Sequence, residues 1–174
     1  MALPRIAPMK AVTGSLPTFG SWAFELKWDG MRVVAAVGDP ERPLRLDTTR
    51  GLDAAPRFPE LAALPAALAP HRLVLDGEVV AFRDGRPDFG QLQHRMHLTR
   101  PAEIARVART IPVAYVVFDL LWLDGEDLTG RTYLERRARL AEVVGAGESW
   151  LVPDHHVGGG ADLLAAATDQ RLRA

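Results

Sequence analysis

"FELKWDGMRVVAAV", residues 24–37, sets two cations, Lys27 and Arg32, on either side of an Asp29-Gly30 pair inside an otherwise apolar, β-branched run. Asp-Gly between alternating apolar residues is a strong hairpin signal, because both residues tolerate the positive φ of turns that match strand twist. The stretch predicts a hairpin of residues 24–28 against 31–37, with Lys27 opposite Arg32 and Glu25 on the same face. Like charges placed opposite one another cost stability. Something must offset that cost, and an anion such as a nucleotide phosphate is one candidate. A permanently charged guanidinium would also favour the neutral, nucleophilic form of the lysine amine. The competing reading is an ordinary solvated hairpin face, and Asp-Gly recurs at 76, 84 and 124, so the pair alone does not decide.

The surroundings bound the problem. With 174 residues and 48% hydrophobic content, the chain is long enough for one soluble domain with a real core. Lys and Arg total 21 against 22 Asp and Glu, which argues against a uniformly basic nucleic-acid coat but leaves room for a local basic face. There is no cysteine, so disulfides, thiolate zinc sites and cysteine nucleophiles are excluded. The start, "MALPRIAPMKAV", lacks the apolar core of a signal peptide, and no stretch reads as a membrane span. A cytoplasmic protein is expected.

Along the chain, residues 1–21 read as an extended lead-in and 44–49 as a strand. "RFPELAALPAAL" reads as a short helix broken by Pro65, and "HRLVLDGEVVAF" as a strand turning at Asp84-Gly85. "PDFGQLQHRMH" has helical spacing with Asp88 as N-cap. "PVAYVVFDLLWL" reads as a central strand, and "TYLERRARLAEVV" as an amphipathic helix with Thr132 and Glu135 in a capping box. "SWLVPD" suggests another strand, and residues 161–170 a last helix. Strands dominate without a βαβ rhythm, which predicts an α+β fold with mostly antiparallel sheets flanked by helices.

Four stretches in order carry a resemblance. "ELKWDGMR" resembles the K-x-D-G-x-R signature of the covalent nucleotidyltransferases, which include ATP-dependent DNA ligases, RNA ligases and capping enzymes. "TTRGLDAAPRFPEL", "LVLDGEVVAF" and "AYVVFDLLWLDG" are similar to that family's next three motifs. "APMKA" and "DFGQLQHRM" resemble bacterial ATP-dependent ligases of the end-joining type. The resemblance implies an adenylation domain of ATP-grasp-like fold, with ATP and Mg²⁺ as cofactors and nicked or broken duplex DNA as partner.

Carried over residue by residue, the resemblance implies that Lys27 attacks the α-phosphate of ATP to give a lysyl-AMP intermediate for DNA nick or end sealing. Glu25 would read the adenine amino group, and Phe118 would stack on the base, its competing reading being a core phenylalanine. Arg32 and Arg50 would hold ribose and later phosphate or DNA, although Arg50 also reads as an exposed turn residue before Gly51. Glu78 would contact ribose or the metal ion, and a lone carboxylate in an apolar run is expensive unless paired. His155-His156 reads as a loop pair, with no third ligand at metal spacing.

Beyond residue 170 the resemblance stops. The E-G-x-x-x-K segment, the lysine strand that grips the α-phosphate and the oligonucleotide-binding barrel are absent. Residues 1–174 therefore read as a C-terminally truncated, partial adenylation domain, expected to label itself feebly alone and to need a second polypeptide or C-terminal half. The alternatives are a non-catalytic nucleotide- and DNA-binding remnant, or an RNA ligase or capping-type nucleotidyltransferase.

Overall fold

The computed structural model describes residues 2–17 and 19–169. Of the segment expected to form the first hairpin arm only Ala23–Phe24 is a strand, β1, and it does not pair with β2 (Met31–Val37). Both edges of β2 are taken, by antiparallel β3 (Leu44–Thr48) on one side and antiparallel β4 (Leu73–Arg83) on the other. The reason lies in Gly30. Its φ is not positive, and a Cβ there would stand 2.3 Å from the Val79 carbonyl oxygen, so glycine serves close approach to β4 rather than a turn. The Asp-Gly pairs that do turn hairpins are those at 84 and 124, with φ of 52° and 48° at the aspartates. Asp76-Gly77 lies inside β4, beside a register irregularity.

After β3 come two 3-10 turns, Ala55–Arg57 and Pro59–Ala63, then the single turn α1 (Leu64–Ala67). Pro65 begins that turn instead of breaking a helix, since a missing N–H is harmless there. Past β4, β5 (Arg86–Pro87) closes the Asp84-Gly85 hairpin and leads to α2 (Phe89–Met96). Asp88 caps it as expected, accepting from the Gln91 N–H at 3.0 Å. α3 (Pro101–Ala108) is a helix that the sequence pattern did not announce. Then follow β6 (Val113–Leu123), β7 (Glu126–Asp127) and α4 (Tyr133–Val143). The expected capping box is formed: the Thr132 N–H donates to Glu135 at 2.8 Å, and the Glu135 N–H donates to the Thr132 hydroxyl at 3.4 Å. β8 (Trp150–Leu151), β9 (His156–Val157), which pairs with β1, and α5 (Gly160–Asp169) complete the chain. Gln170, the expected last residue of α5, lies outside the described residues.

The main sheet runs β3-β2-β4-β6-β7, antiparallel throughout, with β8 parallel to β6, so the α+β expectation holds. Its two faces differ. Val33, Ala35 and Val37 of β2, Leu75 and Val79 of β4, and Tyr115 and Val117 of β6 face the principal core with Phe58, Leu61, Leu92 and Leu140. The Tyr115 hydroxyl is satisfied there by the Leu75 and Val33 carbonyls at 3.1 and 3.2 Å. On the other face Val34, Ala36, Val74 and Leu121 meet Leu3 and Ile6 of the lead-in, whose backbone is pinned where the Leu3 N–H donates to Asp39 at 2.8 Å.

The principal core contains one charged tie. Arg95 is fully buried and donates to Glu60 at 2.8 and 3.0 Å, to the Ile111 carbonyl at 2.6 Å and to the Arg57 carbonyl at 2.8 Å. It fastens α2 to the 3-10 turns and to the approach to β6. Arg95→Ala is expected to destabilise the fold by about 3–5 kcal/mol, because it strands Glu60 without its partner. Urea denaturation of the two proteins checks this, and Arg95→Ala together with Glu60→Gln should recover part of the loss.

Candidate active site

β-strand alternation puts Val74, Asp76, Glu78 and Val80 on the face opposite the principal core, and the register sets Arg32 beside Glu78 and Val34 beside Asp76. This part of the face forms one wall of a cavity of about 790 Å³. The lead-in from Ile6 to Ala11, residues 25–28 and the first turn of α4 supply the other walls. Glu25, Lys27, Arg32, Glu78 and Phe118 all line this cavity. Arg50 does not. It sits exposed in the turn after β3, beside Gly51 with φ 75°, which matches its reading as a turn residue.

The two cations are not balanced as the hairpin reading expected. Arg32 donates to both carboxylate oxygens of Asp76, at 2.6 and 2.8 Å, and its guanidinium lies 4.4 Å from the centre of the Phe118 ring. Burial alone would lower the Arg32 pKa, but the Asp76 carboxylate outweighs it and holds the guanidinium above its ordinary value. Lys27 stands exposed at the cavity rim, while its neighbour Arg32 is engaged by Asp76. The carboxylates of Asp76 and Glu78 take the place assigned above to a bound anion in offsetting the pair.

Glu78 is buried, and desolvation pushes its pKa up, against the opposing pull of Lys27 and Arg32. Glu25 is likewise raised by burial, opposed by Tyr133 and Arg137. Trp28 Nε1 is buried without a hydrogen-bond partner, while the Glu25 carboxylate and the Tyr133 hydroxyl are buried against one another, and all three residues line the cavity. The Glu25 carboxylate is 3.8 Å from Arg137, beyond hydrogen-bond reach. A concave site with buried polar atoms, an aromatic face and cations fits a polar, ring-bearing, anionic ligand.

Comparison with known proteins agrees with this chemistry. The family model described as "ATP dependent DNA ligase domain" matches residues 6–173. The chain belongs to that family. It is 37% identical over 169 residues to the multifunctional non-homologous end joining protein LigD of Mycolicibacterium smegmatis, covering 95% of this chain and 20% of that protein. It is 38% identical over 146 residues to DNA ligase C of Mycobacterium tuberculosis, covering 82% of this chain and 38% of the relative. Among solved structures, a mycobacterial DNA ligase D complexed with ATP and MES superposes with a TM-score of 0.71 at 35% identity, over 87% of this chain and 46% of that one. The chain thus spans about a fifth of the LigD protein it matches and under half of the solved ligase chain.

Within this ligase domain the sequence reading missed several cavity residues. Asp76 and Asp119 carry the signal used for Glu78, a carboxylate in an apolar run, yet only Glu78 was read. Asp119 pairs in bidentate fashion with Arg136, at 2.8 and 2.7 Å, and both line the cavity. Arg137 donates to the Phe118 carbonyl at 3.1 Å and to the Pro153 carbonyl. Tyr133 also lines the cavity, and nothing in its sequence context marks it, whereas Lys10 belongs to the resembling stretch "APMKA", in which no role was read for it.

Glu78 yields a stability test. Its folded pKa lies above the ordinary 4.5, so between those two values the folded state holds more protons than the unfolded state, and stability rises as pH falls through that window. Above the window the ionised carboxylate costs stability. Glu78→Gln should therefore melt higher than wild type at pH 7 without nucleotide, and the gain should shrink toward pH 4.5. Thermal melts of both proteins across that range check the direction.

Proposed function

We propose that the chain is the front part of a ligase adenylation domain that forms lysyl-AMP on Lys27 for sealing nicked or broken DNA. The observation that carries this reading is that residues from three of the four resembling stretches, Glu25, Lys27, Arg32, Glu78 and Phe118, meet in one cavity. The ATP complex of the solved mycobacterial relative supports the choice of nucleotide.

The Lys27 amine attacks the α-phosphorus, forming an N–P bond as the bond to the bridging oxygen breaks. Pyrophosphate leaves with that electron pair and the amine loses its proton. A DNA 5′-phosphate oxygen then attacks the same phosphorus, forming a phosphoanhydride as the N–P bond breaks and the lysine amine regains its proton. Phe118 offers a flat face for the base, its ring steadied from one side by Arg32. Because Lys27 is exposed, its reactivity derives from alignment with the phosphate and from closure over the bound nucleotide, not from desolvation of the free amine.

Among the described residues, no three His, Cys, Asp or Glu side chains gather as a metal site. A hard divalent ion that takes most of its shell from water and substrate phosphates needs only one or two protein carboxylates. Glu78 fits that role, since Asp76 is committed to Arg32. Bound Mg²⁺ would neutralise phosphate charge.

Lys27→Ala and Lys27→Arg should each abolish covalent AMP while leaving ATP affinity within about tenfold, because one exposed charge contact is worth roughly a kcal/mol. Peptide mass mapping after incubation with ATP and Mg²⁺ checks it, and AMP retained in either variant overturns the assignment. Phe118→Ala should weaken ATP binding by about 1–3 kcal/mol if the base stacks on it. The readout is the ATP-induced rise in melting temperature, which would stay unchanged if Phe118 served packing alone. GTP and nicked RNA run in parallel separate the RNA ligase and capping alternatives.

A further inference from the structure

We propose that Lys10, carried to the cavity wall by the lead-in, binds the outer two phosphates of ATP and keeps hold of them as pyrophosphate leaves. The inference rests on the adenylation reading above and adds to it a residue for which the sequence suggests no role.

Of the 21 lysines and arginines in the chain, only two, Lys10 and Lys27, are lysines. Both line the same cavity, although they arrive from separate segments, the lead-in and the stretch ahead of β2. Everywhere else the chain uses arginine, whose rigid fork suits fixed, bidentate pairing with carboxylates. The cavity shows that use twice. Arg32 is held by both oxygens of Asp76 and Arg136 by both oxygens of Asp119, and these are the other cations lining it among the described residues. An ammonium on a flexible stem is instead a mobile point charge, suited to a phosphate group that shifts position during a reaction.

Lys10 is exposed, and among the described residues no carboxylate holds it. The peptide that carries it is anchored just upstream, where the Leu3 N–H donates to Asp39 at 2.8 Å and Ile6 packs against the cluster of Val34, Ala36 and Val74. The anchored backbone brings Lys10 to the wall while its side chain stays solvated and movable. A nucleoside triphosphate delivers several negative charges to this site. Lys27 gives no lasting compensation, because its nitrogen bonds phosphorus in the transfer and ceases to be a cation. Negative charge meanwhile gathers on the departing pyrophosphate as the bond to the bridging oxygen breaks. Lys10 keeps its proton and forms no covalent bond, so it faces that charge from binding to release and stabilises the leaving group.

Calorimetric titration of wild type, Lys10→Met and Lys10→Arg with AMP and with α,β-methylene-ATP tests this. The methylene bridge keeps the phosphate charges but prevents loss of pyrophosphate, so binding is read without transfer. Methionine keeps the apolar stem and removes the charge, and at an exposed position it should leave the melting temperature without ligand unchanged. Lys10→Met should bind the triphosphate about tenfold more weakly and AMP as wild type does, while Lys10→Arg should stay within about threefold of wild type for both. Unchanged triphosphate affinity in Lys10→Met overturns the inference. So does an equal loss for AMP and the triphosphate, which would assign Lys10 to shaping the wall, and so does a loss in Lys10→Arg as deep as in Lys10→Met, which would mean that charge is not what the site uses. Wild type that binds neither ligand overturns the adenylation reading itself, so the two failures are told apart.

Discussion

Arg32 and Asp76 lie on neighbouring strands but not directly opposite: the register pairs Arg32 with Glu78 and Asp76 with Val34, so the guanidinium reaches diagonally across the sheet to grip both carboxylate oxygens. Asp76 is almost wholly buried, with its side chain 3% exposed, and a charge in that position is tolerable only while its partner stays in place. The pair ties β2 to β4 at the point where the sheet face changes from apolar packing to the cavity. It also holds the guanidinium against Phe118. The cation that the sequence sets near Lys27 is thus a structural strut that also braces the Phe118 ring at the cavity wall.

A second set of clamps comes from α4. Its neighbouring residues Arg136 and Arg137 seize neighbouring residues of β6, the first through the Asp119 carboxylate and the second through the Phe118 carbonyl. The same helix sends Leu140 into the principal core, so the position of Phe118 is coupled to packing on the far face of the sheet. Arg137 also ends 3.8 Å from Glu25, close enough for an ion pair but not for a hydrogen bond. These arginines belong to an ordinary-looking amphipathic helix, yet they fasten it to the strand that carries Phe118 and Asp119.

Much of this was legible. Alternating β-branched runs gave β2, β4 and β6, and local chemistry gave the Asp88 cap and the Thr132 and Glu135 box, because strand periodicity and capping are short-range effects. The first hairpin was misread because Asp-Gly serves two purposes, turning a chain at 84 and 124 and letting backbones approach at 30 and 77, and sequence does not separate them. The resembling stretches located Lys27, Glu25, Glu78, Arg32 and Phe118, which now line one cavity, while Arg50 lies outside it. Tyr133 and Arg136 join the cavity through tertiary packing of a helix, for which no local pattern exists, and Lys10 comes from the resembling stretch of the lead-in, where no role was read for it. Asp76 and Asp119 were recoverable, since each is a carboxylate in an apolar strand whose arginine partner makes its burial tolerable.

The lead-in matters for anyone handling the protein. Leu3 is fastened to Asp39 and packed on Val34 and Val74, and only a few residues later Ile6 to Ala11 form a wall of the cavity. An affinity handle, a fluorophore or a neighbouring domain attached ahead of Leu3 would pull on a peptide that is itself part of the cavity wall. Labels at that end report on, and disturb, the cavity more directly than labels on the exposed faces of α2 or α3, which lie across the sheet from it.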